Sequence, residues 1–243
     1  EFPLAILGDR APAGVKTLTF EDEIRDQGNG ELVTRRLTIS GSDQFGLPTA
    51  LDDDVIVALI QVTRGQNGFT DRTVQFTRYQ LLQLLGWPDK GGSYDRLEES
   101  LKRWLGVTLF YEKAWWDKDE KAWVDEHFHL IDNVTLYDAE TRRRKKKSNP
   151  GAALPLSSFT WNQVIFRSFQ AENLKKLDLE TYFGLSLAPA KRMYRFLDKR
   201  FYRRTRWQFD LKEFACEHVG FARNYDSAQL RRKMQPSIDE LEA

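Results

Sequence analysis

A single cysteine, Cys216, in a chain of 243 residues rules out an internal disulfide and any cysteine-clustered zinc site, and it fits a reducing compartment. Cys216 sits inside a helix-like apolar pattern, which suits a small core residue better than a nucleophile. No stretch approaches the roughly eighteen apolar residues of a membrane span. The opening EFPLAILGDRAPAG has neither the basic start nor the long apolar centre of a signal peptide, so a cytoplasmic protein with no membrane partner is expected. The glycines never form the G-x-x-x-x-G-K loop that cradles phosphates, so ATP hydrolysis is not encoded. With only three histidines, metal centres have little to draw on. The expectation is a non-enzyme with no catalytic residue and no metal.

Apolar material is ample: 41% of the chain is hydrophobic and 13% aromatic, enough for one or two cores. The formal net charge of +1 conceals an asymmetry. Residues 1–140 carry 15 Lys+Arg against 25 Asp+Glu, whereas residues 141–243 carry 22 against 11. The second half is therefore equipped to meet a polyanion, and the first is not, except locally.

Local patterns lay out the first half, residues 1–140, with its elements beginning near residue 14. EIRDQGNGELVTRRLTISG reads as a hairpin: Asn29-Gly30 is a favoured tight-turn pair, and Val33, Arg35, Leu37 and Ile39 alternate with Thr34, Arg36 and Thr38. GLPTALDDDVIVALIQV reads as a helix with Asp52, Asp53 and Asp54 in its first turn, where the dipole favours negative charge. In QFTRYQLLQLLGWP, a short strand ends at Phe76, Thr77 and Gln80 form a capping box, and Leu81, Leu82, Leu84 and Leu85 make the buried face. Gly86 and Pro88 stop that helix. A DKGGS turn leads to a second helix, about Tyr94 to Leu105, with Leu97, Leu101, Trp104 and Leu105 on one side. Two short helices across a tight glycine turn are a helix-turn-helix. VTLFYEK, a polar tip at Asp117-Lys118-Asp119-Glu120 and WVDEHFHLIDNVTLY then supply a hairpin, which completes the order of a winged helix.

TRRRKKKSNPGAALPLSS marks 141–157 as a basic, exposed linker. Beyond it, residues 158–243 repeat the grammar: FTWNQVIFRSF as a strand, NLKKLDLETYFGL as a short helix, LAPAKRMYRFLDKRFY as a longer one. A strand at Gln208-Phe209 then leads into Asp210, with Glu213 as its box partner. At a constant offset of 133 the apolar positions recur: Leu81 with Phe214, Leu82 with Ala215, Leu97 with Leu230, Leu101 with Met234, Leu105 with Ile238. The chain thus holds two helix-turn-helix units. The fold expected is α+β, two tandem winged-helix domains, the second ending before its wing. A fragment of a longer protein is the favoured explanation of that ending.

In a helix-turn-helix the second helix enters the major groove, residues near its N-terminus touch base edges, and flanking cations hold phosphates. In the second unit that helix begins near Tyr225-Asp226-Ser227. The expected DNA-binding set there is Arg223, Asn224, Tyr225, Ser227, Gln229, Arg231, Arg232 and Lys233, with Leu230 and Met234 facing inward. Arginine offers a fork to guanine, Asn or Gln a matching pair to adenine, and lysine a phosphate contact. Arg203, Arg204 and Arg206 are expected backbone contacts. Lys191, Arg195 and Lys199 share one side of a helix as a phosphate-tracking stripe, against the alternative that these cations pair with Glu180 or Asp198. For Arg142 to Lys147 both roles stay open, phosphate contact from a tether or simple solvation. The first unit offers Lys90, Ser93, Tyr94 and Arg96, but Asp95, Glu98 and Glu99 repel phosphate. Its hairpin, with Trp115, Trp116 and Trp123, is better suited to meeting protein, the simpler role being to cover the core.

These stretches resemble the replication initiator protein A family of plasmids and, more distantly, tandem winged-helix initiators that bind iteron repeats. The resemblance is carried by FPLAILGD, GLPTALDDDVIV, FTRYQLLQLLGWPDKGGSYDRLEESLKRW and FARNYDSAQLRRKMQPSIDEL. It implies a first winged helix that mediates homodimerisation with auxiliary DNA contact, and a second that reads double-stranded DNA at repeats in a replication origin. It also implies no cofactor, and host replication proteins as partners, in a bacterial cytoplasm. One alternative is a winged-helix transcriptional regulator with the same DNA-binding physics. Another is a metal-dependent nicking nuclease built on His127-Phe128-His129, with Tyr194 or Tyr202 as nucleophile; against it, the only other histidine, His218, lies far along the chain.

Overall fold

The computed structural model describes residues 2–25, 30–117, 120–149, 155–171, 174–201 and 205–243. Strands β1 (Thr17–Arg25) and β2 (Leu32–Ser40) pair antiparallel from Thr17 opposite Ser40 to Arg25 opposite Leu32. Asn29 of the expected turn lies outside the described residues. Strand alternation buries Leu37 and Ile39 completely. Their neighbours Arg35 and Arg36 pair with Asp22 and Glu21 on β1.

Helix α1 (Ala50–Asn67) starts at a capping box between Thr49 and Asp52 and ends at Gly68 in the left-handed conformation. Strand β3 (Thr73–Phe76) then leads to Thr77, whose hydroxyl accepts the Gln80 amide and starts α2 (Arg78–Leu84). Helix α3 (Gly91–Gly106) buries Leu97, Leu101 and Trp104. Leu105, expected among them, is 38% exposed, because its position falls beside that stripe.

A hairpin follows, β4 (Thr108–Asp117) and β5 (Ala122–His129), with a register shift between Tyr111 and Trp115; Lys118 and Asp119 of its tip lie outside the described residues. WVDEHFHLIDNVTLY is not one strand. Strand β5 ends at His129, and β6 (Ile131–Thr135) belongs to another sheet. The first sheet is ordered β1-β2-β4-β5, so the hairpin extends the N-terminal strands, and the second is β3-β7-β6.

The central strand of that second sheet, β7 (Ser157–Trp161), corrects the expected domain boundary. It was to open the second unit; instead it pairs with β3 and β6 on either side and buries Phe159 and Trp161 in the first core. Trp161 also donates its indole N–H to Thr63 of α1, 2.9 Å. The rest of FTWNQVIFRSF is helical: Asn162 accepts the Val164 amide and caps α5 (Gln163–Gln170), whose Phe166 and Phe169, three apart, also enter the first core. The basic run expected as linker lies in helix α4 (Ala139–Ser148), with Arg144 to Lys147 exposed.

Asp178 caps α6 (Leu179–Gly184), and helix α7 (Ala188–Phe201) follows. Its Met193 and Phe196 belong to a smaller core with Phe214, Ala215, Cys216, Val219, Leu230 and Met234. Gln208 and Phe209 form no strand. Asp210 nonetheless caps the next helix as expected, accepting the Lys212 and Glu213 amides. That helix is α8 (Leu211–Glu213) continued by a π-helical turn, Phe214–Val219, which ends at Gly220. Helix α9 (Ser227–Glu242) closes the described chain. Four of the five expected recurring pairs are buried, Leu81, Leu82, Leu97 and Leu101 with Phe214, Ala215, Leu230 and Met234, whereas Leu105 is exposed and Ile238 half-buried.

Three aspartates at the start of α1 are buried, and two of them, Asp53 and Asp54, tie that helix to α6 and α7. Asp52 accepts Arg103 of α3 at 2.7 and 3.1 Å. Asp53 accepts Arg192 of α7 at 3.0 and 3.2 Å. Asp54 accepts Lys191 at 2.6 Å and the Tyr182 hydroxyl at 2.8 Å. They sit where the helix dipole favours carboxylates, yet what holds all three in the interior is partners far along the chain.

Candidate nucleic-acid interface

Helix α9 begins at a capping box in which Asp226 accepts the Gln229 amide at 2.8 Å and Gln229 accepts the Asp226 amide at 3.0 Å. Leu230 and Met234 face the second core, as expected. Helical spacing then turns the intervening positions outward: Ser227, Arg231, Arg232 and Lys233 are exposed, and so is Asn224 in the preceding turn. Lys233 lies over the Tyr225 ring with its ammonium 4.6 Å from the centroid, and Tyr225 itself packs against the second core. Gln235, one turn beyond Arg231, continues the exposed polar stripe and bonds Asp239 at 2.7 Å. Sequence reasoning passed over Gln235, although i+4 spacing from Arg231 points to it.

Other residues of the expected set have internal roles. Gln229 is held by its cap, so its amide oxygen is occupied. Arg223 forks onto Glu217, 2.8 and 2.7 Å, and donates to the Thr19 carbonyl at 2.9 Å. That pairing holds the Arg223 guanidinium pKa above its usual value. Arg206 is exposed, whereas Arg203, Arg204 and Tyr202 lie outside the described residues.

In the first unit Lys90 and Arg96 are exposed, Arg96 lying over the Trp87 ring at 5.6 Å. Tyr94 donates its hydroxyl to Asp89 at 2.8 Å beneath the Arg78 guanidinium. Ser93 faces inward and is buried, which removes it from the solvent-facing set. Trp115 packs edge-on against Tyr111 and Phe128 and so helps cover the core. Trp123 lies against the Arg35 guanidinium, 4.8 Å away.

The expected phosphate stripe on α7 is divided. Lys191 is committed to Asp54, and the neighbouring Arg192 is buried against Asp53; these carboxylates, not Glu180, take the cations. Burial pushes the Asp53 carboxyl above the usual range, with the Arg192 and Arg195 charges opposing the shift. Tyr182 is likewise raised well above the ordinary phenol, chiefly by burial. Arg195 and Lys199 line a cleft of about 470 Å³ together with Arg64, Lys175 and Lys176, and Asp198 pairs with Lys175 at 2.6 Å.

His127 and His129 both project to the exposed side of β5, with Phe128 buried between them. His129 places Nδ1 2.9 Å from the Val107 carbonyl. A carbonyl can only accept, so that nitrogen carries the proton. Among the described residues no group of three His, Cys, Asp or Glu side chains could hold a metal ion, and no helix is long and apolar enough to cross a membrane.

No curated protein matches the chain. Solved structures similar to the chain include two of RctB. One, of RctB domains 2–3, has a TM-score of 0.58 at 18% identity and covers 98% of this chain and 80% of that one. The other, of selenomethionine derivatives of domains 2 and 3 of RctB, has a TM-score of 0.61 at 14% identity, covering 98% and 82%. The mixed α/β architecture with antiparallel sheets is shared with these domains. The family model for replication initiator protein A matches residues 17–239, a span from the first strand to the last helix that takes in the whole of the α9 stripe. The chain belongs to the replication initiator protein A family.

Proposed function

We propose that this initiator recognises repeated double-stranded DNA sequences at a plasmid replication origin, with α9 as the helix that reads the major groove. The observation that carries the proposal is the outward stripe of Ser227, Arg231, Arg232 and Lys233, held rigid from behind by Leu230 and Met234. Arg231 and Arg232 have the chemistry to fork onto guanine, and Lys233 that to neutralise a phosphate. In this proposal the two helix-turn-helix pairs act as tandem winged-helix modules. The first, acidic half mediates self-association and makes only auxiliary contacts through Lys90 and Arg96. Arg206 and the exposed Arg144 to Lys147 add phosphate contacts. Strain on neighbouring A·T-rich duplex and recruitment of host replication proteins would follow from several copies bound side by side.

The test is binding of the full chain to duplex fragments from the origin of its own plasmid. Arg231→Ala and Arg232→Ala are each expected to cost roughly 1–3 kcal/mol and to relax base preference, while Lys233→Ala should weaken all sequences alike and reduce the salt slope by about 1. Unchanged affinity on removing both arginines would take α9 out of the interface. The same proposal has the protein act without cofactor or catalysis. Nicking of supercoiled origin DNA in Mn²⁺, abolished by His129→Ala, would replace it with the nuclease alternative.

A further inference from the structure

Strand β1 lies at the edge of the first sheet, and an edge strand presents unpaired backbone groups that must be covered or blunted. On β1 the Glu21 amide donates to Glu217 at 2.8 Å and the Thr19 carbonyl accepts Arg223 at 2.9 Å. In a parallel ladder one residue of a neighbouring strand offers its N–H to the carbonyl at position i−1 and its C=O to the amide at i+1. Thr19 and Glu21 flank Phe20 in that way. The Glu217–Arg223 ion pair therefore stands where one residue of an added strand would stand, its carboxylate replacing the C=O and its guanidinium the N–H.

Both members come from the second helix-turn-helix. Glu217 lies in the π-helical turn, and Arg223 lies three residues before the Asp226 cap of α9. The Glu217 side chain is 12% exposed and that of Arg223 55% exposed. We propose that Glu217 and Arg223 are positioning residues that latch the second helix-turn-helix to the edge of the first sheet, so setting the direction in which α9 meets DNA. The part of this that concerns DNA rests on α9 being the reading helix; the latch itself does not. Arg223 is thereby moved from the expected set of DNA contacts to a residue that acts through α9.

Opposite signs separate the two roles in the full-length protein. As latch residues, Glu217→Ala and Arg223→Ala each weaken origin binding by about tenfold, the double variant is no worse than either, and the salt slope is unchanged. Arg223→Lys also fails to restore binding, because an ammonium cannot fork onto the carboxylate and reach the Thr19 carbonyl at once. Were Arg223 a phosphate contact restrained by Glu217, Glu217→Ala would tighten binding, Arg223→Lys would keep it, and Arg223→Ala would lower the slope by about 0.9. That pattern overturns the proposal.

Hydrogen exchange supplies a readout without DNA. The Glu21 amide, on the open side of an edge strand, is protected in the native protein and loses that protection in Glu217→Ala, with the urea midpoint showing the variant folded. A Glu21 amide that exchanges freely in the native protein ends the proposal. If Arg231→Ala and Arg232→Ala leave DNA binding untouched while Glu21 responds as described, the latch stands and only the α9 assignment falls.

Discussion

Replacing Arg192 with Met is the most demanding single test of how the two cores are joined. The guanidinium donates to Asp53 at 3.0 and 3.2 Å, to the Ala5 and Ile6 carbonyls at 2.7 and 2.9 Å, and to the Val219 carbonyl at 3.0 Å. One side chain thus ties the N-terminal segment, α1 and the end of the π-helical turn together from α7. Met fills much of the volume but leaves Asp53 as a buried carboxylate without its partner. Breaking a buried pair from one side costs about 3–5 kcal/mol, and three carbonyls losing a donor push in the same direction. Set against a typical total of about 5–15 kcal/mol, the loss should be plain in urea unfolding followed by tryptophan fluorescence. Adding Asp53→Asn should recover part of it, since no charge is then stranded.

The pH dependence of that variant carries a definite sign. Burial already raises the Asp53 carboxyl pKa, and Arg192 opposes the shift, so removing Arg192 raises it further. A carboxyl whose folded pKa lies above its unfolded value is more stabilising below the unfolded pKa, and that contribution disappears as pH rises through the folded one. The deficit of Arg192→Met should therefore shrink on acidification. A cost below about 1 kcal/mol, or a double variant no better than the single, would refute Asp53–Arg192 as the joint.

Two further outcomes follow from local geometry. Gly220 has φ +95°, and a Cβ there would stand 2.6 Å from Arg192 Nη1, so Gly220→Ala should cost more than about 1 kcal/mol in urea unfolding, and a neutral result would show that the guanidinium is free to move. The Asp178 carboxyl is held below the usual range chiefly by hydrogen bonds from the Thr181 hydroxyl and amide, which outweigh the opposing effect of desolvation, with a smaller contribution from the Glu180 amide. Its contribution is present above the unfolded pKa and is lost as pH falls through the depressed folded value; a carboxyl NMR titration at the ordinary aspartate midpoint would contradict the cap.

Short windows of the chain reveal caps, stops and inward helix faces because these are local. Thr77 and Asp210 cap as their residue types suggest, and the apolar positions from Leu81 to Leu101 and from Phe214 to Met234 mark inward faces. What spacing could not convey is which strand lies beside which. A pattern such as SSFTW is compatible with opening a second domain or with filling a gap between β3 and β6, and only the bonding demand of those two strands decides for the latter.

Charge was the least legible property of all. Asp52 to Asp54 and Arg223 look in sequence like a helix start and a DNA contact, and their partners lie 51, 139, 137 and 6 residues away. Sequence by itself determined the inward faces and the outward stripe of α9, since both follow from the 3.6-residue period. Tertiary structure alone decided which cations remain on the surface, because a carboxylate brought within hydrogen-bonding distance by folding outbids solvent for any arginine it can reach in a buried place.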